Sequence, residues 1–244
     1  MDKQKTALVT GASRGIGFGI ACALMNDGYK VAINARSFDN FNGSADFIKI
    51  KGDVSNTLES SIVVNLALEK LGKIDLIVCN VGSGISAIPG EEIYYDWHKS
   101  FAQNFFSTTN VIEAAREHLK SSNSSIICIS SICGIEYIKG APTTYSVAKS
   151  ALNFYIKLTA KNLAPYGVKL NGLALGNILF DGSVWQKKIE KDSNVVKKYI
   201  NENVPTRTLG DISDVTNAVL YLSNKNSKFI SGAIMTIDGG QTRT

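Results

Sequence analysis

Short apolar runs alternate with segments of helical spacing along the chain, and this alternation constrains the fold more than any other feature of the sequence. The segments predicted as strands hold five or six residues each: Thr6–Thr10, Lys30–Asn34, Phe47–Lys51, Ile74–Cys79, Ser125–Ser130, Val168–Leu173 and Ala233–Ile237. The segments predicted as helices are Ile16–Asp27, Asn56–Leu71, Tyr94–Leu119, Thr144–Ala164 and Asp211–Ser223. Apolar strands separated by helices are typical of a parallel sheet with both faces covered. The sequence therefore predicts an α/β fold, a doubly wound parallel sheet of Rossmann-like type.

The 244 residues contain no internal repeat, low-complexity tract or Pro/Ser-rich linker, so we expect residues 1–244 to form a single domain. A hydrophobic fraction of 44% is ordinary for a globular chain and argues against disorder. No apolar run approaches the ~20 residues of a membrane span, and residues 1–5 lack the apolar segment of a signal peptide. The expectation is a cytoplasmic protein that does not associate with membranes.

The net charge of +5 is too small and too dispersed to indicate nucleic-acid binding. The densest basic cluster is interpreted as a solvated helix face, with attraction of an anionic substrate or cofactor as the alternative. It comprises Lys187, Lys188, Lys191, Lys197 and Lys198. The four cysteines form no CxxC pair, which favours reduced thiols. The two histidines lie twenty residues apart, so neither a metal site nor a histidine-based triad is predicted.

A glycine-rich turn, Thr10–Gly17, joins the first strand to the first helix. Its glycines suit a tight turn, close approach of a pyrophosphate and close packing of the helix on the strand. The helix N-terminus would offer free N–H groups to phosphates. The alternative is that the glycines serve only the turn. The candidate cofactor-binding residues of this turn are Gly11, Ser13, Arg14, Gly15, Ile16 and Gly17.

The end of the second strand reads Asn34-Ala35-Arg36-Ser37 and carries no carboxylate that could bind a ribose 2′-hydroxyl. Arg36, together with Arg14 of the glycine-rich turn, is suited to a 2′-phosphate because guanidinium groups form charge-assisted hydrogen bonds. NADP(H) is therefore favoured over NAD(H) as the cofactor. The alternative interpretation of Arg36 is a solvated loop cation.

Tyr145 and Lys149 lie four residues apart, on one face of a predicted helix. A phenol with its ordinary pKa of ~10 is a poor acid or base at neutral pH. A neighbouring ammonium favours the phenolate and lowers that pKa, which makes proton exchange with an alcohol or carbonyl oxygen feasible. A pair at this spacing is common on helices, so its context decides the interpretation.

Several motifs occur in order along essentially the whole chain, and together they resemble the short-chain dehydrogenase/reductase family, in its short single-domain branch. They are the glycine-rich turn, Asp53-Val54, Asn80-Val81-Gly82, Asn104, Ser130-Ser131, Tyr145 with Lys149, and Ile237-Asp238-Gly239-Gly240. The resemblance implies an NAD(P)-dependent oxidoreductase that forms a homodimer or homotetramer.

The resemblance also implies catalytic roles. Tyr145 would be the general acid/base, and Lys149 would hold the nicotinamide ribose and lower the pKa of the tyrosine. Ser131 would hydrogen-bond the substrate oxygen, and Asn104 would anchor a water for proton relay.

Further residues are assigned to the cofactor by the same resemblance. Asp53 and Val54 would contact the adenine, and Asn80 and Gly82 would line the cofactor cleft. The backbone N–H of Ile178 would meet the nicotinamide carboxamide.

The chain departs from the family pattern around the catalytic serine. Cys79-Asn80-Val81-Gly82 replaces the usual Asn-Asn-Ala-Gly but keeps the asparagine and the glycine. Ser131 lies 14 positions before Tyr145, one more than is common in the family. We expect the extra residue to bulge the loop Ile135–Thr144 over the substrate.

Another departure follows the predicted sixth strand. Leu175 stands where the family has a proline, and Phe180 replaces a threonine that contacts the carboxamide. Asp181 and Ser183 are the candidates to replace the contact of that threonine.

The proposed reaction at this stage is interconversion of a secondary alcohol and a ketone, on a polar or sugar-like metabolite. The alternatives are a 3-oxoacyl-carrier-protein reductase, a dehydratase or epimerase, and a non-enzymatic dinucleotide-binding regulator. Substrate choice is expected to come from Ser83–Glu92, Ile135–Thr144 and a helical lid over Leu179–Val204. Glu136, Tyr137 and Trp185 are the residues of those segments whose roles the sequence leaves open.

Overall fold

Seven parallel strands form one sheet in the computed structural model of this chain, which describes residues 4–39 and 41–243. In chain order they are β1 (Thr6–Thr10), β2 (Lys30–Ala35), β3 (Ile48–Lys51), β4 (Leu76–Cys79), β5 (Ser125–Ser131), β6 (Lys169–Leu175) and β7 (Ile234–Ile237). Their order across the sheet is β3-β2-β1-β4-β5-β6-β7. The doubly wound sheet predicted from the sequence is confirmed, with every strand end within two residues of its predicted place.

Helices connect most of the strands. They are α1 (Gly15–Asn26), α2 (Thr57–Leu71), α3 (Tyr94–Phe101), α4 (Ser107–Ala114), α5 (Arg116–Lys120), α6 (Thr143–Leu163), α7 (Val184–Lys191), α8 (Ser193–Asn203) and α9 (Ile212–Ser223). Local chemistry sets their ends: the Asn56 side chain accepts hydrogen bonds from the first turn of α2, and Gly72 ends that helix at φ 78°. Across residues 4–39 and 41–243, none of the helices combines the length and apolarity needed to cross a membrane.

The sheet separates two apolar layers. Leu8, Ile77 and Ile126 belong to the layer on one face, whereas Val9 and Val78 belong to the layer on the other. Successive side chains of a strand point to opposite faces, so a sheet covered on both sides needs strands without polar alternation. Burial of each such side chain contributes roughly 1.5–3 kcal/mol.

The prediction of one continuous helix over Tyr94–Leu119 is wrong. A π-turn, Ala102–Phe106, separates α3 from α4, and α5 begins after a further irregularity at Ala115. The Asn104 side chain donates to the Ser100 carbonyl at 3.0 Å, an acceptor that the backbone of a regular α-helix would use. This side-chain bond opens the helix by one residue, as is common where π-turns occur at functional sites.

Phenylalanines pack between β2 and β3, where the described residues 36–39 and 41–47 contain no helix. The ring centroids of Phe18 and Phe41 are 5.4 Å apart, and those of Phe38 and Phe41 are 5.7 Å apart, both in edge-to-face geometry. The cluster supplies the apolar cover that a crossover helix would otherwise give, and it supports one wall of the cleft described below.

Candidate active site

A crevice opens beyond the carboxyl ends of β1 and β4, because the chain runs outward from β1 to β3 and then returns to β4 on the other side. The turns that follow these two strands face each other across it. The Asn80 side chain donates to the carbonyls of Thr10 and Gly11 at 3.1 Å each, and its backbone N–H donates to the Thr10 hydroxyl at 3.0 Å. These bonds fix the floor of the crevice.

The glycine-rich turn places backbone where side chains would not fit. Gly11 and Gly15 have φ values of 63° and 60°, a region that favours glycine. A Cβ on Gly17 would overlap the Gly11 carbonyl and the Asn80 amide, so this glycine allows α1 to approach β1. No side chain caps the N-terminus of α1, and its free N–H groups are available to an anion.

A cleft of about 630 Å³ extends from this turn along the ends of β2 and β4. Eight residues predicted to bind the cofactor line it: Gly11, Ser13, Arg14, Arg36, Asp53, Val54, Asn80 and Gly82. Of the other residues of that prediction, Gly17 packs beneath the turn, and Tyr145 and Lys149 lie on α6. Gly15 faces the Phe180 ring, Ile16 packs into the apolar layer, and Ile178 is buried beside Gly210.

Sequence reasoning missed several residues that line the same cleft. They include Ser37, Phe38, Phe41, Ser55, Lys99 and Gln103. Lys99 and Gln103 lie five positions and one position before Asn104, in the same predicted helix as that candidate site residue. That spacing was the signal available in the sequence. The phenylalanines gave no such signal, because they resemble ordinary core residues.

The four predicted catalytic side chains come from three elements. Ser131 ends β5, Asn104 lies in the π-turn, and Tyr145 and Lys149 lie one turn apart on α6. Two hydrogen bonds to the backbone of Ser83 fix the Asn104 carboxamide. Its oxygen accepts from the Ser83 N–H at 2.8 Å, and its nitrogen donates to the Ser83 carbonyl at 3.0 Å. The structure thus brings all four to the edge of the sheet where the crevice opens.

Gly82 is the point at which two of these side chains meet the cleft wall. A Cβ there would lie 3.1 Å from Asn104 Oδ1 and 3.2 Å from Lys149 Nζ. Any other residue would displace one of them. The Lys149 ammonium donates to the Ile129 carbonyl at 2.8 Å and lies 5.9 Å from the centroid of the Tyr145 ring.

Burial dominates the electrostatics of this group. It raises the pKa of Tyr145 to about 12, which the neighbouring Ser131 side chain opposes by hydrogen bonding. Burial also lowers the pKa of Lys149 to about 8. The net shift of the Tyr145 pKa is thus upward, opposite to the predicted direction, because desolvation disfavours the ionised phenol.

Comparison with known proteins assigns the family. The family model described as enoyl-(acyl carrier protein) reductase, a group of short-chain dehydrogenases/reductases, matches residues 11–242. The chain is a short-chain dehydrogenase/reductase. This confirms the resemblance found in the motifs and establishes an NAD(P)-dependent oxidoreductase.

Named relatives of this dehydrogenase/reductase are similar over almost their full length. It is 28% identical to 7alpha-hydroxysteroid dehydrogenase of Escherichia coli strain K12, covering 97% of this chain and 93% of the relative. It is equally identical to the 3-oxoacyl-[acyl-carrier-protein] reductase FabG of Staphylococcus epidermidis, covering 97% and 98%. Among solved structures, ElxO with NADP bound is 27% identical, with a TM-score of 0.88 and 98% of each chain covered.

The cleft of this dehydrogenase/reductase fits a nicotinamide dinucleotide. Glycines at positions 11 and 82 leave space that a Cβ would fill, the uncapped end of α1 can meet a pyrophosphate, and Arg14 and Arg36 supply positive charge. Asp53 is held by its own neighbours, since its carboxylate accepts from the Ser55 N–H and hydroxyl. Solved relatives with NADP bound support a nicotinamide cofactor for this chain.

The residues that replace family motifs occupy defined places in the dehydrogenase/reductase. Phe180 packs its ring against Gly15, so the substituted position covers the glycine-rich turn with apolar surface. Ser183 caps α7 by accepting from the Gln186 N–H, and its hydroxyl is thereby used within the chain. Asp181 is exposed beside it.

The three residues with open roles do not point into the described cleft. Tyr137 is 87% exposed, and Glu136 accepts a hydrogen bond from the Arg243 N–H. The Trp185 ring packs against that of Tyr199, tilted by 36° with 5.3 Å between ring centroids. Among the residues that the structure describes, no group of three His, Cys, Asp or Glu side chains is arranged to hold a metal ion.

Proposed function

We propose that this dehydrogenase/reductase interconverts a secondary alcohol and a ketone, with NADP(H) as the hydride carrier and Tyr145 as the general acid/base. The observation that supports this most strongly is the convergence of side chains at the crevice. The Ser131 hydroxyl lies beside the Tyr145 phenol, while Lys149 and Asn104 flank Gly82. A protein that only binds a dinucleotide has no need of all four.

In the reducing direction, the Tyr145 phenol gives its proton to the carbonyl oxygen while the Ser131 hydroxyl hydrogen-bonds the same oxygen. The raised pKa of Tyr145 keeps this proton in place at neutral pH, so the donor is present when a ketone binds. A nicotinamide dinucleotide held in the cleft would supply or accept the hydride at the substrate carbon.

In this proposal Lys149 returns a proton to Tyr145 after each turnover, and it also binds the nicotinamide ribose. A pKa of about 8 allows its amine to lose and regain a proton near neutral pH. Asn104 is assigned the water through which that proton is exchanged, because its carboxamide reaches the cleft wall beside Lys149 Nζ.

The preference for NADP(H) is inferred from charge at the far end of the cleft. Arg14 and Arg36 line it together, and the nearby Asp39 carboxylate is occupied by the Ser37 hydroxyl at 2.5 Å. An Arg36→Ala variant should bind NADPH about 10- to 100-fold more weakly, since a charged hydrogen bond contributes ~1.5–3 kcal/mol. Its affinity for NADH should change little. Arg116→Ala, at an exposed ion pair with Glu113, is the matched control.

A polar or sugar-like metabolite is the proposed substrate class. Ser83, Lys99 and Gln103 line the cleft on the side of the π-turn and offer hydrogen-bonding groups there. The named relatives do not decide this point, because one is a steroid dehydrogenase and the other a carrier-protein reductase at the same identity. A 3-oxoacyl thioester is the competing substrate.

The test is oxidation of NADPH and NADH by the purified protein with keto sugars and acetoacetyl thioesters. We expect turnover with NADPH and a keto sugar, and a loss of roughly 10²–10⁴-fold in Tyr145→Phe because proton transfer contributes that much. Tyr137→Phe, at an exposed tyrosine of the preceding loop, should keep the wild-type rate.

Each other outcome has a distinct meaning. Faster turnover of the thioester identifies the carrier-protein reductase instead. Conversion of substrate with no net change in cofactor identifies a dehydratase or epimerase. Cofactor binding without turnover of any carbonyl compound favours the regulatory alternative, and full activity of Tyr145→Phe overturns the assigned role of that residue.

A further inference from the structure

Residues 179–209, named here the excursion, leave the sheet after β6 and return before α9. Two backbone hydrogen bonds close its neck: Leu179 N–H to the Gly210 carbonyl at 2.7 Å, and Gly210 N–H to the Asn177 carbonyl at 3.0 Å. The excursion contains α7 and α8, whose apolar cluster around Val196 and Ile200 is separate from the two layers of the sheet. It is therefore a small unit joined to the domain through its neck.

The base of the excursion is incompletely packed against the domain. A cleft of about 360 Å³ lies between Val204 and Leu209 on one side and Ile237 and Gly239 on the other. The excursion meets the tail closely only beside this cleft, where a Cβ on Gly239 would overlap the side chains of Val204 and Thr206. Polar contacts add to this packing in fixing the position of α7 and α8.

Those contacts come from the C-terminal tail, residues 238–243. The Gln241 carboxamide oxygen accepts from Asn177 Nδ2 at 2.6 Å, and its nitrogen donates to the Tyr199 hydroxyl at 3.1 Å. The Gly239 carbonyl accepts from the Thr206 N–H at 3.1 Å. One carboxamide thus joins the neck of the excursion to α8, and the same tail reaches its base.

The tail is itself held in shape. The Asp238 carboxylate accepts from the Gly240 N–H at 2.9 Å and from the Thr242 N–H and hydroxyl at 2.8 and 2.7 Å. At its far end, the Arg243 N–H donates to Glu136, in the loop that leads to the catalytic helix α6, at 2.7 Å. Gln241 is therefore presented from a folded turn, between the excursion and the catalytic loop.

The start of the excursion also touches the candidate active site, since the Phe180 ring covers Gly15 of the glycine-rich turn. A shift of α7 and α8 about the neck would change how this side of the cleft is covered. We propose that Gln241 is a positioning residue: through Asn177 and Tyr199 it fixes the excursion over the cleft and so sets the affinity for the substrate. The kinetic part of this inference rests on the proposed function.

Limited proteolysis tests the positioning directly, because α7 and α8 carry lysines at positions 187, 188, 191, 197 and 198. Trypsin cleaves locally opened structure, so its rate at these lysines reports how firmly the excursion is held. Gln241→Leu should increase that rate about fivefold or more, as expected for the loss of one or two hydrogen bonds. Mass spectrometry assigns the cleavage sites.

Matched variants separate positioning from general damage. Gln241→Glu should keep a rate near wild type, because a carboxylate accepts from both the Asn177 amide and the Tyr199 hydroxyl. Gln4→Leu makes the same substitution at an exposed glutamine with one long hydrogen bond and should change nothing. If Gln241→Leu does not fold, Tyr199→Phe removes only the phenol contact. Wild-type cleavage in both Gln241→Leu and Tyr199→Phe overturns the inference.

Kinetics give the second readout. Gln241→Leu and Tyr199→Phe should each raise the KM for the carbonyl substrate about fivefold, with kcat and the KM for NADPH little changed. The double variant should be no worse than Gln241→Leu alone, because that change already removes the hydrogen bond between Gln241 and Tyr199. Additive effects, or a fall in kcat alone, contradict the role. If wild type turns over no carbonyl compound, the proposed function fails while the cleavage rates still decide the role of Gln241.

Discussion

Lys149 is the residue at which function and stability are most clearly opposed. Its side chain is 3% exposed, and its ammonium donates to the Ile129 carbonyl. Burial lowers its pKa from 10.5 to about 8, so the fold disfavours the charged amine. Below pH 8 the amine is protonated in both the folded and the unfolded chain, and its burial there costs stability in full. Between pH 8 and 10.5 the folded form is neutral while the unfolded form is still charged, so stability rises with pH.

Lys149→Met should remove this pH dependence. In ligand-free protein, the unfolding free energy of wild type minus that of the variant should rise by about 2 kcal/mol between pH 8 and pH 10. The variant should also lose its activity, because it lacks the amine. Urea unfolding at several pH values measures the difference. A difference that stays constant from pH 8 to pH 10 would show that the amine titrates normally in the fold.

At the scale of residues, the sequence identified the glycines and the polar groups whose chemistry is local. Gly11 is required by its positive φ, and Asn80 by its bonds to the neighbouring strand, and both are readable from a strand-turn-helix pattern. The pKa of Tyr145 was not predictable, because it depends on how completely other elements bury the phenol. The covering of Gly15 by Phe180 joins residues 165 positions apart and left no local signal.

At the scale of elements, the turn that presents Ser131 is held against α6 by Asn153. The Ser130 hydroxyl donates to Asn153 Oδ1 at 2.6 Å, and Asn153 Nδ2 donates to the Gly134 carbonyl at 3.1 Å. A Cβ on Gly134 would overlap the backbone of Lys149, so this turn and α6 are in close contact. Asn153 therefore holds the chain both before Ser131, at Ser130, and after it, at Gly134.

Asn153→Ala should destabilise the protein by about 3 kcal/mol, because it leaves a buried hydroxyl and a carbonyl without partners. Activity should fall as well, since the turn carrying Ser131 loses its support. Ser150→Ala, on the exposed face of the same helix, should change stability by less than ~0.5 kcal/mol. Chemical unfolding of both variants provides the measurement. Equal stability of the two would mean that the turn is held without Asn153.

Regular elements were predictable because their signals are periodic and local, whereas their interruptions were not. The strands were found from apolar runs, and α6 from its spacing. The π-turn at Ala102–Phe106 depends on the Asn104 carboxamide reaching the Ser100 carbonyl and Ser83, which is 21 residues away. No helical periodicity reports such a contact. The helices predicted between Leu179 and Val204 are present as α7 and α8.

At the scale of the whole molecule, α6 exposes large apolar side chains on one face. Phe154 and Leu158 are 63% and 50% exposed, and Val147 lies on the same side two turns earlier. Contiguous exposed apolar surface of this kind is typical of a protein interface. We propose that a second copy of the chain covers it, as the family resemblance also implies.

Substitution of this face should change the mass of the protein in solution. We expect wild type to elute as a dimer or larger assembly, and Phe154→Glu/Leu158→Glu to elute as a monomer, because buried charges at an interface are costly. Light scattering coupled to gel filtration gives the mass directly. Lys191→Glu, at an exposed residue of α7 away from this face, controls for the added charge. A wild-type monomer, or a double variant that keeps the wild-type mass, contradicts the assembly through this face.

Transfer of deuterium from NADPH labelled at C4 of the nicotinamide measures whether this protein moves a hydride from the cofactor to a ketone. Mass spectrometry of the product, after reduction of a ketone by the wild-type protein, should find a single deuterium at the carbinol carbon. Tyr145→Phe should form this labelled product far more slowly while still binding the cofactor. A product without label, formed while the cofactor keeps its deuterium through many turnovers, would contradict hydride transfer at this site.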